Sequence, residues 1–353
     1  MKQINYPSTY QFRTIVANVN RTYNFIGLDE MTGEAIYDLT KKKPTIRFTG
    51  TCKLHGTNAG CCYNEISGIW VQNRENIITP QKDNAGFAFF VESKKEVFKK
   101  LMNDIKEKFN IDTTINTISL YGEWCGSSIQ KGVGISELPE KSFFIFAIKI
   151  SNLNDVSIPS YWVDSKEFRD IENRIYNIYD FKTYSIDVDF NNPQLIQNKI
   201  IELTLEVEEQ CPVAKELGFD GIGEGIVFSY LNESNGTRLV FKSKGEKHSK
   251  SKVKTLKKVD DEKINRIIEV AEKVTPSWRL EQMLNETFDL SNGGTISRNK
   301  MGDYLKKVIQ DVIKEDMDIL IENNLEIKDL GKYISEISKN YFFEQEKNNL
   351  NLI

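Results

Sequence analysis

Histidine is nearly missing. The 353 residues hold only His55 and His248, which argues against a His-based zinc centre and against a Ser-His-Asp triad. Cysteine is sparse as well. Cys52, Cys61, Cys62, Cys125 and Cys211 have neither metal-ligand spacing nor the pattern of a disulfide framework, so they read as reduced, mostly buried thiols. No apolar run is long enough to cross a membrane. Met1-Lys2-Gln3-Ile4-Asn5-Tyr6 lacks the apolar core of a signal peptide, so a cytoplasmic location is expected. Positive charge is not in excess either. With a net charge of -4, any surface for nucleic acid must be local. Internal repeats and extended low-complexity segments are also absent.

What is there suits globular packing. Hydrophobic residues make up 39%, and the length exceeds the usual limit for one core, so two domains are expected. Strands and helices alternate to about residue 245 and helical periodicity dominates afterwards, placing the division at 1–245 and 246–353. Thr45 to Cys52 reads as a strand, as do Gly68 to Arg74, Ile118 to Trp124 and the wholly apolar Phe143 to Ile148. Val97, Phe98, Leu101 and Ile105 recur at helical spacing. Two more helices are expected over 164–210, one carrying Phe168, Ile171, Ile175 and Ile178, the other Leu195, Leu203 and Val207. Gly225 to Tyr230 and Arg238 to Lys244 form a hairpin around Asn235-Gly236. Alternation along its second strand puts Lys242 and Lys244 on one face. Three helical stripes follow: Ile264, Ile267, Ile268 and Ala271, then Met301, Leu305, Val308 and Val312, then Leu330, Ile334, Ile337 and Tyr341.

One stretch concentrates chemistry. Thr51-Cys52-Lys53-Leu54-His55-Gly56-Thr57-Asn58 sets a lysine at the end of a strand and follows it with a tight polar turn. A lysine held there in a partly desolvated cleft can serve as a nucleophile, because burial disfavours the ammonium form. Lys-x-x-Gly alone is weak evidence, since it also begins at Lys131, Lys215, Lys242 and Lys328. A lysine run from Lys242 through Lys244, Lys247, Lys250, Lys252, Lys254, Lys257 and Lys258 reads either as a solvated linker or as a phosphate-tracking surface. Gly221-Ile222-Gly223-Glu224-Gly225 opens a strand rather than a helix, so it is a poor dinucleotide loop. Glu123 and Glu224 carry no spacing that would make them a glycosidase pair.

Taken together, Lys53-Leu54-His55-Gly56-Thr57-Asn58, an arginine strand, Tyr121-Gly122-Glu123, Phe143-Phe144-Ile145-Phe146, Glu224-Gly225-Ile226-Val227-Phe228 and Phe241-Lys242-Ser243-Lys244 resemble the covalent nucleotidyltransferase superfamily. Within it they resemble the RNA ligase 2 family of phage-type ATP-dependent RNA ligases. The likeness spans roughly residues 45–250 and includes Ser128-Ile129-Gln130-Lys131-Gly132-Val133. It implies an α+β fold: an N-terminal nucleotidyltransferase domain of antiparallel sheets with flanking helices, followed by an all-helical C-terminal domain that engages nucleic acid.

The resemblance also implies roles. Lys53 would attack the α-phosphorus of ATP and form lysyl-AMP. Arg74 and Glu123 would bind the ribose, Phe146 would stack on adenine, and Lys242 and Lys244 would contact phosphates. Glu224 would take part in binding Mg²⁺ or Mn²⁺. His55 and Asn58 would support the first step and Gln130 later ones. The implied substrate is RNA with 3′-hydroxyl and 5′-phosphate ends, as in a nicked duplex or an RNA-containing hybrid, with no membrane and no obligate protein partner. Competing readings are a DNA ligase or mRNA capping enzyme, which usually append an OB-fold barrel, and a non-catalytic RNA-binding protein on the same fold.

Overall fold

Alternation of Ile46, Phe48, Gly50 and Cys52 toward one side makes Thr45–Cys52 a strand with a sealed inner face, Phe48 being wholly buried. The computed structural model describes residues 1–28, 33, 35–38, 41–83, 85–155, 157–245, 256 and 258–350. In chain order the strands are β1 (Tyr10–Gln11), β2 (Phe25–Leu28), β3 (Ala35–Tyr37), β4 (Thr45–Cys52), β5 (Thr57–Asn64), β6 (Gly68–Asn73), β7 (Ile77–Ile78), β8 (Asn116–Cys125), β9 (Ser142–Asn152), β10 (Tyr161–Val163), β11 (Ile175–Asn177), β12 (Thr183–Asp189), β13 (Gly225–Asn232) and β14 (Thr237–Lys244). By internal contacts the chain divides into two units. The first is Met1–Val16, Thr45–Val188 and Ile196–Lys257; the second is Ala17–Pro44, Asp189–Leu195 and Lys258–Ile353.

The first unit is built on two sheets. One runs β1-β14-β13-β4-β12; the other runs β10-β9-β8-β5-β6-β7, with β11 parallel beside β9. Helix Lys95–Lys108 lays Phe98, Leu101, Met102 and Ile105 on one face of the larger sheet, against Ile118, Leu120, Phe143 and Ile145. Each such side chain contributes about 1.5–3 kcal/mol on burial, which fixes β8 and β9 as a rigid floor. Helix Gln197–Glu209 buries Leu203 and Val207 as expected, with Ile200 beside them, whereas Leu195 lies in the 3-10 turn Pro193–Ile196 that precedes it.

The helix expected through Phe168, Ile171, Ile175 and Ile178 is not there. That stretch is two single 3-10 turns flanking β11, and Ile171 is exposed. Local side-chain bonds explain the failure. Asp170 accepts from the Asn173 N–H, Asn177 Nδ2 donates to the Ser165 and Phe168 carbonyls, and Arg174 sits at φ 61°. Asn and Asp offer the backbone partners outside the helix, and here those partners win over apolar spacing.

The second unit is mainly helical, confirming the α+β expectation of a helical C-terminal region. Helices Asp261–Val274, Ser277–Phe288, Met301–Glu315 and Ile327–Leu350 enclose a core of Val270, Ala271, Leu284, Tyr304, Val308 and Phe342. In the first of these helices the buried edge is Ile267, Val270, Ala271 and Val274; Ile264 and Ile268 flank it, half-buried. Arg279, almost fully buried, is neutralised by Asp311 at 2.8 Å and by Asp316. Strands β2 and β3 form a small antiparallel pair. Among the described residues no helix is long and apolar enough to cross a membrane. Lys247, Lys250, Lys252, Lys254 and Lys257 lie outside the described residues; Lys258 is exposed.

Candidate active site

The strand-end lysine is pinned by its neighbours. β4 pairs antiparallel with β13, Cys52 opposite Ile226 and Thr51 opposite Val227. One residue further on, the Lys53 N–H donates to the Gly225 carbonyl at 2.8 Å. The same crossing delivers Glu224. Its carboxylate is 3% exposed and has Lys53 Nζ at 2.6 Å on Oε2, Lys244 Nζ at 2.5 Å on Oε1, and His55 Nδ1 at 3.3 Å. Burial opposes the charge of Glu224, but Lys53 and Lys244 outweigh it and hold the carboxyl below its ordinary value. Gly225 is at φ 141°, and a Cβ there would lie 2.2 Å from the Ser243 carbonyl oxygen. Glycine is thus what lets β13 and β14 approach so closely, with Gly225 opposite Lys244.

The glycine of Lys-x-x-Gly has a similar cause. A Cβ on Gly56 would stand 2.5 Å from the Trp124 carbonyl oxygen and 2.6 Å from Cys125 Cβ. The bare backbone lets the Gly56 N–H donate to Glu123 Oε1 at 3.0 Å, while Gln130 Nε2 reaches the Gly56 carbonyl at 3.5 Å. Asn58 lies directly across from Glu123 in the β5–β8 register. Burial pushes the Glu123 carboxyl up to about 7, against the pull of Lys53 and the Gly56 N–H. Arg74 donates to Ser8 Oγ at 3.3 Å.

These groups border one cleft of about 390 Å³, within the range of small-ligand sites. Lys53, His55, Asn58, Arg74, Glu123, Phe146, Lys242 and Lys244 all line it; Glu224 stands behind the lysines, and Gln130 reaches only the turn. Of the five Lys-x-x-Gly lysines, Lys53 and Lys242 face the cleft and Lys131, Lys215 and Lys328 do not. Burial, then the charges of Lys244, Lys53 and Arg74, lower the pKa of Lys242. Five cations and one carboxylate line the walls, so the cleft favours an anionic ligand.

Phe146 lies beside a bulge. Tyr121 pairs with Ala147 and Gly122 with Ile145, which leaves Phe146 unpaired across β8. Core residues on β9 accordingly switch from Phe143 and Ile145 to Ile148 and Ile150. Phe146, two residues from Phe144, shares its face and lines the cleft as strand alternation requires; the bulge shifts the register beyond it. Tyr6, Val227, Tyr179 and Arg238 also line the cleft, and sequence reasoning assigned none of them a role. Tyr6 is held by rings of Tyr121, Phe146 and Trp162 at 5.2, 5.1 and 5.7 Å.

A strand-end amine, a buried carboxylate orienting it and a cationic wall are the parts needed to attack a phosphorus centre and steady the charge displaced. A family model described as RNA ligase matches residues 46–244. The chain belongs to the RNA ligase family. Every site residue expected from the sequence falls within the RNA ligase match. Among solved structures the chain is similar to a Naegleria gruberi RNA ligase with PPi, at 15% identity and TM-score 0.40, covering 69% of this chain and 57% of that one. A variant of that RNA ligase with AMP and Mn gives 15%, 0.41, 69% and 57%; another with ATP and Mn gives 16%, 0.40, 70% and 58%. This chain thus spans less than two thirds of the length of those ligases. No curated protein matches it.

Proposed function

We propose that this member of the family is an ATP-dependent RNA ligase that works through a lysyl-AMP intermediate. The observation that carries the reading is the Lys53 amine, held 2.6 Å from Glu224 at the mouth of a cleft walled by Lys242 and Lys244. Lys53 Nζ attacks the α-phosphorus of ATP as the bond to pyrophosphate breaks. AMP then passes to a 5′-phosphate, and a 3′-hydroxyl displaces it to form the phosphodiester. Each step is an in-line displacement, so positioning and neutralisation of charge supply the catalysis. Glu224 orients the amine, Arg74 and Glu123 take the ribose, and Phe146 takes the base against the Val227 side of the cleft. Lys242 and Lys244 hold phosphate oxygens. His55 and Asn58 support adenylation, and Gln130 the later steps through the Gly56 turn.

A divalent cation fits this site only in part. Both Glu224 oxygens are engaged by ammonium groups, and among the described residues no group of three His, Cys, Asp or Glu side chains could hold a metal. Mg²⁺ or Mn²⁺ would have Glu224 as its single carboxylate and would depend on the nucleotide's own phosphates. Residues 1–245 serve adenylation and the helices of 246–353 engage nucleic acid, with nicked duplex RNA or a hybrid as substrate.

The test is labelling by ATP carrying a radioactive α-phosphate with Mg²⁺, followed by denaturation, and then sealing of RNA and DNA nicks. Label should stay on the wild-type chain and vanish in Lys53→Ala. That variant should remain folded, because Glu224 keeps Lys244 and His55 as partners. Label persisting in Lys53→Ala would sink the nucleophile; sealing of DNA nicks alone would sink the substrate.

A further inference from the structure

The end of the cleft away from the lysines is closed by a cation without an anion. Arg238 donates to Tyr6 Oη at 2.6 Å and to the Phe146 carbonyl at 3.5 Å, with Tyr179 Oη as a further partner. The guanidinium lies over the Trp162 ring at 5.3 Å. Among the described residues no carboxylate pairs with it. A guanidinium has five N–H donors, and a half-buried cation without a counter-charge calls for other partners to satisfy it. The rings of Tyr6 and Trp162 meanwhile fix it in one orientation. Arg238 also borders a second cavity of about 140 Å³, which shares Phe146 and Tyr179 with the cleft. Water can therefore reach the donors, and a contact through one water is nearly as good as a direct one.

Spacing along β14 says what Arg238 faces. It shares a strand face with Lys242, four residues on, which at about 3.3 Å per residue is about 13 Å away. With phosphates at Lys242 and Lys244 and ribose at Arg74 and Glu123, the group reaching Arg238 is the edge of the base remote from the sugar. We propose that Arg238 is a specificity-determining residue that donates, directly or through one water, to a ring-nitrogen acceptor of the base. This rests on the adenylation reading, which orients the nucleotide. Its donors reward a base that offers N1 or N7 as an acceptor. They reward nothing where that nitrogen is replaced by C–H.

Calorimetry on Lys53→Ala, where binding stays reversible, tests this with ATP, 1-deaza-ATP and 7-deaza-ATP, with and without Arg238→Gln. Removing the read nitrogen should weaken binding by about tenfold to a hundredfold when Arg238 is present, as for a hydrogen bond from a charged donor. In Arg238→Gln the same removal should cost less than about threefold, the two changes being coupled. If Arg238→Gln does not fold, Arg238→Lys, which keeps the charge and loses the fork, carries the cycle. Equal penalties with and without Arg238, or no penalty for either analogue, overturn the assignment. Coupling in a protein that never retains label on Lys53 leaves Arg238 standing and overturns adenylation instead. Absence of any ATP binding sinks both.

Discussion

Glu123 offers the sharpest physical test of the cleft, because its carboxyl is held far from its ordinary range without leaving the pH window where proteins are stable. Burial raises it from 4.5 to about 7. Between those values the unfolded chain has released the proton and the native chain still holds it. The unfolded state binds fewer protons there, so stability falls as pH rises from about 4.5 to about 7, and the loss is complete above. A shift of that size corresponds to about 3 kcal/mol. Glu123→Gln keeps an oxygen to accept from the Gly56 N–H but cannot titrate. Urea unfolding of both proteins from pH 4.5 to 8, followed by tryptophan fluorescence, isolates the one group. Relative to wild type, Glu123→Gln should gain about 3 kcal/mol across the window. Curves that stay parallel would refute the reasoning, since they would mean that Glu123 ionises alike in both states. The same titration bears on function. If the carboxylate accepts from ribose hydroxyls, ATP should bind wild type more tightly as pH rises through 7, and the glutamine variant should show no such rise.

Gly56→Ala should destabilise the first unit by about 1–3 kcal/mol, because its new Cβ meets backbone at Trp124 and the Cβ of Cys125, neither of which can rotate away; an unchanged urea midpoint would contradict this. Cys52, Cys61, Cys62 and Cys125 are buried with raised pKa, so iodoacetamide at pH 7.5 should leave them unlabelled until the chain is denatured; mass spectrometry of the native protein checks it. Replacing lysines from Lys247 to Lys258 by alanine should flatten the salt dependence of nucleic-acid binding by about 0.9 per lost phosphate contact on a duplex, or about 0.7 on a single strand. An unchanged slope would make the run a linker.

How much of this was legible in the sequence depended on how local the cause was. β4 and the β13–β14 hairpin follow from alternation and turn chemistry, which act within a few residues, and with them came Lys53, Lys242 and Lys244. Glu224 was legible as a motif residue, but its triple pairing required β13 to lie between β4, which leads into Lys53 and His55, and β14, which carries Lys244. The stretch 164–180 misled because apolar spacing matched a helix, while the deciding bonds came from Asp170 and Asn177 to nearby backbone. Tyr6 and Arg238 were hidden for a different reason. The N-terminal segment is held by Tyr121 Oη on the Ile4 carbonyl at 2.5 Å and by Gln72 on the Ile4 N–H at 3.0 Å. Contacts so distant in sequence leave no periodic trace. Phe146 could be guessed as an adenine platform only by resemblance, since a strand apolar on both faces does not say which face meets the cleft.

The division of the chain decides how a role for the helical region can be tested at all. Residues 1–245 look separable in sequence, and cutting there is the obvious experiment. Yet Ala17–Pro44 and Asp189–Leu195 group with the second unit. Lys43 pairs with Glu336 at 3.3 Å, and Gln194 Nε2 donates to Tyr333 Oη at 2.6 Å. A chain ending at 245 keeps two segments and discards what they pack on, so newly exposed surface would accompany any loss of sealing. Such a loss could come from damage rather than from a missing nucleic-acid surface. Point changes among the lysines escape the ambiguity, because they remove charge and leave the packing of Val270, Tyr304 and Phe342 intact. Charge reversal in that run, read as sealing by pre-adenylated protein, therefore separates nucleic-acid engagement from folding, and truncation does not.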